Sequence, residues 1–371
     1  MSKQHSPVEY GNYLQLEKIL ASQATRSAEL GAPAHDEMLF IIIHQTYELW
    51  FKQILHELDS VMAMFRNDYV DEKNIGIAVS RLNRIVEIEK VLIDQVRILE
   101  TMTPLDFLDF RNFLTPASGF QSYQFRMLEI KLGLKSDDRI KFSQQAYHLH
   151  YPEARQRELL ALEELPSLFD LLESWLERTP FLELSEFHFL DAYRESVQRM
   201  LAAEREVIEK NPLLSPDEKV QRGQLMHASE KHFESIFSED SHNQLIREGR
   251  RRLSYRALLA ALFINLYRDQ PILHLPYRLL SEILDIDELL STWRYRHALM
   301  VLRMIGRKTG TGGSAGYGYL KSTAESHRVF ADLFNLSTFL IPRSELPKLP
   351  APLEQKLSFY FTQHRARQKK S

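Results

Sequence analysis

Residues 36–66 read DEMLFIIIHQTYELWFKQILHELDSVMAMFR. The stretch contains neither glycine nor proline, and its apolar residues recur at spacings of three and four, which predicts one long α-helix. One stripe along this helix comprises Phe40, His44, Tyr47, Phe51, Leu55 and Leu58. A neighbouring stripe contains Ile43, Trp50 and Ile54. A helix that is apolar on two sides lies in a protein core, so the stretch predicts a fold built around a central helix.

Most of the remaining chain also favours helix, because only 13 of its 371 residues are glycine and 15 are proline. Two helix starts are marked by a capping residue, a proline and an acidic residue, at Thr103-Pro104-Leu105-Asp106 and at Ser215-Pro216-Asp217-Glu218. The predicted helices cover residues 14–22, 36–66, 74–100 and 103–114, one or two helices within 153–178, most of 215–268, and 285–306.

The predicted fold class is all-α, with a single large domain over residues 1–371 and no repeat or linker. An N-terminal arm comprises residues 1–22. The helices within 153–178 are charged, and we expect them outside the main core, as part of an outlying segment of about 153–215. A basic tail of about 346–371 ends the chain, and basic tails are usually solvated.

Composition excludes several classes of protein. The chain has no cysteine, which excludes disulfides, thiolate metal sites and cysteine nucleophiles. A net charge of -3 gives no general attraction to nucleic acid. No run of about 18 apolar residues is present, so we expect no membrane span, and the first residues lack the apolar core of a signal peptide. We therefore expect a soluble, cytoplasmic protein that binds neither nucleic acid nor membrane.

The 14 histidines raise the question of a metal site. A di-iron helical bundle requires two Glu-x-x-His pairs, and the single such pair, Glu239-x-x-His242, lies in a polar segment that we interpret as a solvated turn. A three-histidine zinc or iron site remains an alternative, although no spacing favours it. Two other histidines, His44 and His297, lie in strongly apolar predicted helices and are either core residues or part of a haem pocket.

The haem interpretation depends on what surrounds the two histidines. Haem needs one axial imidazole in an apolar slot, often with a polar group on the opposite face. Trp293 stands one helical turn before His297, where a partner of an axial histidine is expected, although plain core packing explains it equally well. Of the 13 glycines, 6 lie between Gly306 and Gly318, which suggests a main chain that closely approaches a ligand. The pattern alone leaves both interpretations open.

Four blocks of the sequence resemble the signatures of a known protein family. The short block 10–14, residues 35–52, residues 106–111 running into 118–126, and residues 293–320 resemble, in this order along the chain, the signatures of the tryptophan 2,3-dioxygenase family. The resemblance extends over roughly residues 9–345. It implies an all-helical homotetramer with one haem b per chain, Fe(II) in the active form, which inserts both atoms of O2 across the indole C2–C3 bond of L-tryptophan. The implied product is N-formylkynurenine, at the first step of tryptophan catabolism through kynurenine.

The resemblance also implies roles for individual residues. It makes His297 the proximal haem ligand, with Trp293 beside it, and His44 the distal histidine near the indole N–H. For the substrate, it implies that Arg111 pairs with the carboxylate, that Phe40 and Phe107 flank the indole, and that Thr311 contacts the amino-acid end. It also implies that Ser118 and Gly119 lie near the face of the haem. The arm residues Tyr10, Tyr13 and Leu14 are implied to reach into the pocket of a neighbouring subunit.

The spacing of these residues agrees with the implied roles. Phe40 and His44 are four residues apart, as are Phe107 and Arg111, so each pair shares a helix face. The guanidinium fork of arginine can bond both oxygens of a carboxylate. Simpler explanations are an ion pair of Arg111 with Asp109 or Glu129, a turn at Thr311 and an arm docked on its own chain. Two other classes of function are a haem sensor without turnover and a purely structural helical scaffold.

Overall fold

The computed structural model describes residues 7–67, 70–140, 146–180, 182–184, 187–308, 310 and 316–358. Within these ranges the protein is all-α apart from one two-stranded hairpin, which confirms the predicted fold class. The elements are α1 Tyr10–Leu14, α2 Leu16–Leu20, α3 Arg26–Glu29, α4 Glu37–Phe65, α5 Glu72–Leu99, α6 Pro104–Arg111, α7 Tyr123–Leu132, α8 Glu153–Glu163, α9 Leu168–Glu177, β1 Glu183–Leu184, β2 Phe187–His188, α10 Phe189–Lys210, α11 Pro216–Glu234, α12 Glu239–Arg247, α13 Tyr255–Leu266, α14 His274–Ile305, α15 Tyr317–Ser326, α16 Ala331–Asn335 and α17 Ala351–Leu357.

The chain divides into two compact units. The first unit comprises Met1–Glu57, Ile85–Leu165 and Glu288–Arg328, and the second comprises Leu58–Arg84, Pro166–Asp287 and Val329–Ser371. The single-domain organisation expected from the sequence stays a prediction. No helix in the described ranges combines the length and the hydropathy that crossing a bilayer requires.

The core of the first unit forms around the predicted central helix. The residues buried in it come from α4, α5, α6 and α14 and from the segment between α5 and α6: Ile43, Val96, Leu99, Met102, Phe110, Met300, Met304 and Ile305. The Tyr47 hydroxyl of α4 donates a hydrogen bond of 2.7 Å to the Leu92 carbonyl of α5, which satisfies a polar atom beside this core. The first stripe of α4 faces inward as predicted, whereas Met38, Ile42 and Leu49 on the opposite side remain exposed.

Local sequence signals set the helix ends. The Thr103 hydroxyl accepts from the Asp106 N–H while the Asp106 carboxylate accepts from the Thr103 N–H, so the predicted capping box is present at the start of α6. The α-helix ends at Arg111, and a 3₁₀ turn over Asn112–Leu114 continues to the predicted limit. The helix α14 begins at His274, well before the predicted start, because Pro276 lies in a first turn where its missing N–H costs nothing.

The second unit contains a correction to the predicted outlying segment. Helix α9 packs against α13 and belongs to the core of this unit. Its buried side chains are Leu168, Phe169, Leu171, Leu172, Trp175 and Leu176. The expectation that residues 153–178 lie outside a core is therefore wrong for α9, whose apolar residues recur at helical spacing although the segment as a whole is charged.

His242 also differs from its prediction. It is fully buried in α12, so the interpretation of Glu239-x-x-His242 as a solvated turn is wrong. The His242 Nε2–H donates to the Leu253 carbonyl at 2.8 Å, and Nδ1 accepts from the Arg251 guanidinium at 2.8 Å. Burial, with a smaller contribution from the Arg251 charge, lowers the pKa of His242 even though the Leu253 carbonyl opposes the change. Both ring nitrogens are thus used in holding the fold.

Candidate active site

A cavity of about 640 Å³ lies in the first unit. Its lining is mostly apolar, and its volume falls in the range typical of sites for small molecules and cofactors. Eight of the residues singled out in the sequence line it together: Phe40, His44, Phe107, Arg111, Ser118, Gly119, Trp293 and His297. Helices that are far apart in sequence, α4, α6 and α14, therefore bring the two apolar-helix histidines to one space.

His297 lies on α14 and lines the cavity. Burial, with a smaller contribution from His44, lowers the pKa of His297 to about 4, so the ring is neutral at pH 7. Trp293, one turn earlier, stacks on it with ring centroids 5.5 Å apart and planes inclined by 11°. The indole of Trp293 is itself packed against the rings of Tyr47, Phe51 and Phe125, so the stack on His297 has a fixed base.

His44 faces the same cavity from α4. Its Nδ1 lies 2.7 Å from the Phe40 carbonyl, which can only accept, so Nδ1 carries the proton and Nε2 carries the lone pair. Burial lowers the pKa of His44, while the Phe40 carbonyl and the Glu48 charge oppose that change. Solvent reaches the ring through the cavity, yet protein surrounds it. The result is a neutral imidazole with Nε2 as a hydrogen-bond acceptor.

Aromatic rings and one guanidinium form the wall between α4 and α6. The Phe40 and Phe107 rings stack with centroids 5.8 Å apart, and both make edge contacts with Phe110, at 5.6 Å and 5.4 Å. Arg111 lines the cavity one turn after Phe107, as the spacing predicts. Glu129, which was considered as a partner for Arg111, is engaged by three other arginines.

These three arginines form a buried charged cluster that the sequence reasoning missed. The Glu129 carboxylate accepts from Arg126 at 2.6 Å, from Arg139 at 2.5 Å and from Arg294 at 2.9 Å. Burial alone would raise the pKa of Glu129, but the arginines hold it well below its usual range. Three guanidinium groups and one carboxylate leave two positive charges in excess, and Arg126 and Arg294 line the cavity. Only the i, i+3 pair of Arg126 and Glu129 was visible in the sequence.

Ser118 and Gly119 belong to a short loop on another side of the cavity. Ser118 caps the 3₁₀ turn Gly119–Gln121, because its hydroxyl accepts from the Phe120 N–H at 3.4 Å. The Tyr151 hydroxyl lies 2.9 Å from the Phe120 carbonyl and 3.1 Å from the Ser122 carbonyl. The loop is therefore held from behind by hydrogen bonds, which fixes the part of the cavity wall that it forms.

Part of the glycine-rich segment also lines the cavity. Gly316 has a φ of +61°, and a Cβ placed there would lie 3.3 Å from the Lys308 carbonyl oxygen, so glycine is needed for the local main-chain conformation. The expected approach of this segment to a ligand stays a prediction. Thr311 lies outside the described residues, and its implied substrate contact stays a prediction.

The N-terminal arm residues do not reach this chain's own cavity. Tyr10, Tyr13 and Leu14 lie on α1 and are exposed, and none of them lines the cavity. Among the described residues, no group of three or more His, Cys, Asp or Glu side chains is placed to hold a metal ion.

Comparison with known proteins gives matches along almost the whole chain. A family model described as tryptophan 2,3-dioxygenase matches residues 1–340. A protein of that name from Bdellovibrio bacteriovorus is 51% identical over 357 residues, covering 96% of this chain and 99% of the relative. Relatives with the same name from Alteromonas mediterranea and Dictyostelium discoideum are each 47% identical, covering 97% and 95% of this chain and 99% and 88% of their own lengths.

Proposed function

The chain belongs to the tryptophan 2,3-dioxygenase family, and we propose that it performs this haem-dependent reaction in the cavity described above, with His297 as the ligand of the haem. The family makes it an oxidoreductase that oxidises tryptophan with O2. The proposed product is N-formylkynurenine, formed when both oxygen atoms are inserted across the indole C2–C3 bond.

The residues of the cavity fit a haem b. His297 offers a neutral imidazole that stacks on Trp293, and a neutral ring has the nitrogen lone pair that an axial ligand needs. The apolar walls suit the porphyrin, and Ser118 and Gly119 stand at its proposed face. The Glu129 cluster has two excess positive charges and lines the cavity through Arg126 and Arg294. These charges match the two propionates of one haem per chain. When bound as Fe(II), the haem supplies the binding and activation of O2.

The chain's own residues then bind and orient L-tryptophan. Arg111 pairs with the substrate carboxylate, since a guanidinium bonds both carboxylate oxygens. Phe40 and Phe107 flank the indole, as their stacked rings on the cavity wall allow. His44 accepts the indole N–H at Nε2, because Nδ1–H is committed to the Phe40 carbonyl. Holding the ring in this way presents its C2–C3 bond without a proton having to leave the indole nitrogen.

Two further parts of the proposal concern the glycine-rich segment and the N-terminal arm. Thr311 contacts the amino-acid end of the substrate. The arm residues Tyr10, Tyr13 and Leu14 complete the pocket of a neighbouring subunit in a homotetramer, and their exposure on this chain supports that role. A cytoplasmic location stays a prediction from the sequence.

The neutral His297 imidazole in the cavity is the observation that carries the haem assignment, and its replacement tests it. His297→Ala should lose the haem, measured as haem per chain by the pyridine haemochrome method after purification. His44→Ala is the matched control, because it removes an imidazole from the same cavity and should keep one haem per chain. A His297→Ala protein with unchanged haem content and spectrum would refute the assignment.

A further inference from the structure

Glu48 is a cavity-lining carboxylate on the helix that carries His44. It follows His44 by four residues, so the two side chains are neighbours on one face of α4. Its Oε1 accepts from the Ser122 hydroxyl at 2.5 Å, and its Oε2 accepts from the Gln124 side-chain amide at 2.8 Å. The same Gln124 amide nitrogen lies 2.8 Å from the Glu48 main-chain carbonyl. Glu48 is therefore held by α7 through both its side chain and its backbone.

These contacts join the helix of His44 to the loop that carries Ser118 and Gly119. Ser122 is the N-cap of α7, and its hydroxyl also accepts from the Phe125 N–H at 3.3 Å. Behind the loop, Tyr151 bonds the carbonyls on either side of residue 121. A single carboxylate thus ties α4 to a loop whose other side is already fixed, which sets the position of His44 relative to that cavity wall.

Among the carboxylates of α4, Glu48 is the one that lines the cavity together with His44. The other charged or titratable groups that line the cavity are Tyr47 on α4, Arg111 on α6, Arg126 and Glu129 on α7, Arg294 and His297 on α14, Tyr319 on α15 and His327 after α15. Glu129 is neutralised by its ion pairs with Arg126, Arg139 and Arg294. Glu48 receives its hydrogen bonds from the neutral side chains of Ser122 and Gln124, so its charge acts on His44 without a cationic partner in those contacts.

We propose that Glu48 is the positioning residue for His44, fixing its place against the Ser118–Ser122 loop and strengthening Nε2 as the acceptor of the indole N–H. The inference rests on the proposed role of His44 in binding tryptophan. A nearby negative charge favours a partial positive charge on the imidazole, which develops when Nε2 accepts a hydrogen bond. Glu48 acts through His44 and touches neither tryptophan nor the reacting atoms.

A double-mutant cycle between Glu48 and His44 tests this proposal. Glu48→Gln keeps the shape and removes the charge, and we expect it to weaken tryptophan binding, measured by isothermal titration of the haem-loaded protein, and to lower kcat/KM, each by roughly 2- to 10-fold. In the His44→Ala background the same substitution should change neither quantity by as much as 2-fold. Equal losses in both backgrounds would overturn the proposal, because a merely structural carboxylate would act independently of His44.

Two further variants keep the result unambiguous. Glu57→Gln is the matched control, since Glu57 is another carboxylate on α4 that bonds a side-chain amide, that of Gln53, at 2.7 Å. It should leave the binding of tryptophan unchanged even if it lowers the melting temperature. If Glu48→Gln does not fold, Ser122→Ala replaces it, because it removes the hydrogen bond to the Glu48 Oε1. Its effect on tryptophan binding should likewise depend on His44, and an effect that is independent of His44 would overturn the proposal. A parent protein without haem or N-formylkynurenine formation would instead refute the proposed function.

Discussion

At the scale of single residues, the tautomer of His44 decides what it can do. Because Nδ1–H donates to the Phe40 carbonyl, the neutral ring can accept a proton or a hydrogen bond only at Nε2. Burial lowers the pKa of His44, which keeps this acceptor available at neutral pH. One net hydrogen bond is worth about 0.5–1.5 kcal/mol, or about 1–3 kcal/mol when a buried partner is stranded. The imidazole should therefore assist the reaction and not be indispensable to it.

Replacement of His44 tests that expectation. His44→Ala should lower kcat/KM for tryptophan by roughly 2- to 150-fold, the range that corresponds to one such hydrogen bond. The variant should also tolerate 1-methyltryptophan better than the parent does, because the N–H and the opposing imidazole are then both absent. Steady-state assays with both substrates measure this. Complete loss of turnover with haem and tryptophan still bound would show that His44 is an obligatory base.

Arg111 should recognise the substrate carboxylate. Removing one partner of a buried charge pair costs roughly 2–5 kcal/mol, which corresponds to at least about 30-fold in affinity. Arg111→Ala should therefore weaken tryptophan binding by that factor or more. Tryptamine, which has no carboxylate, is the control ligand, and its affinity should change little. Similar losses for both ligands in equilibrium titrations would contradict the assignment.

The residue scale is also where sequence reasoning reached its limit. His44, His297 and the Phe107–Arg111 pair could be found, because each belongs to a short block or a helical spacing. The Glu129 cluster could not, since its arginines come from α7, from the segment after it and from α14. His242 was misread because a polar neighbourhood in sequence says little about where a helix face points.

At the scale of elements, caps and apolar spacing predicted α4, α5 and α6 to within a few residues, whereas α7, α10 and α15 were not predicted. The helix expected at 36–66 is Glu37–Phe65, and that expected at 74–100 is Glu72–Leu99. Where prediction failed, composition had been averaged over too long a stretch. Residues 153–178 are charged overall, yet α8 has one buried residue and α9 has several. Which of the two helices is buried depends on which one packs against α13. The sequence of α8 or of α9 alone does not reveal this packing.

The burial of α9 predicts that a truncated side chain on this helix lowers the free energy of unfolding. Leu176 is 0% exposed in α9, whereas Leu165, just before the helix, is 52% exposed. Leu176→Ala should cost about 2–5 kcal/mol of unfolding free energy through lost burial and the cavity left behind. Leu165→Ala, the matched control, should change it by no more than about 0.5 kcal/mol. Urea unfolding followed by circular dichroism compares them, and equal shifts would contradict a core position for α9.

At the scale of the whole molecule, the N-terminal arm is the feature that one chain does not explain. Tyr10 and Tyr13 are 73% and 74% exposed, and their spacing of three places them on one face of α1. Large aromatic side chains gain considerable free energy from burial, and the described part of this chain leaves them in water. The end of the arm is bonded to its own chain, where the Gln45 amide donates to the Ser22 carbonyl at 3.0 Å. Tyr10 and Tyr13 are not docked in this way, which favours their burial in a neighbouring subunit.

Sharing of the arm between subunits predicts complementation. Deleting residues 1–14 should leave haem bound through His297 but abolish most turnover, because the pocket then lacks Tyr10 and Tyr13. The full-length His297→Ala chain should also be inactive, for the opposite reason: it has the arm but no haem.

Mixed oligomers of the two chains test the exchange of arms. The two chains are co-expressed, and the mixed oligomers are purified through two different tags. They should recover activity, since the arm of one chain completes the haem pocket of the other. Mixed oligomers of the truncated chain with a His297→Ala chain that also carries Tyr10→Ala and Tyr13→Ala are the control and should stay inactive. A fully active truncated protein, or mixed oligomers no more active than either parent, would contradict arm exchange, because an arm acting within its own chain cannot rescue a neighbour.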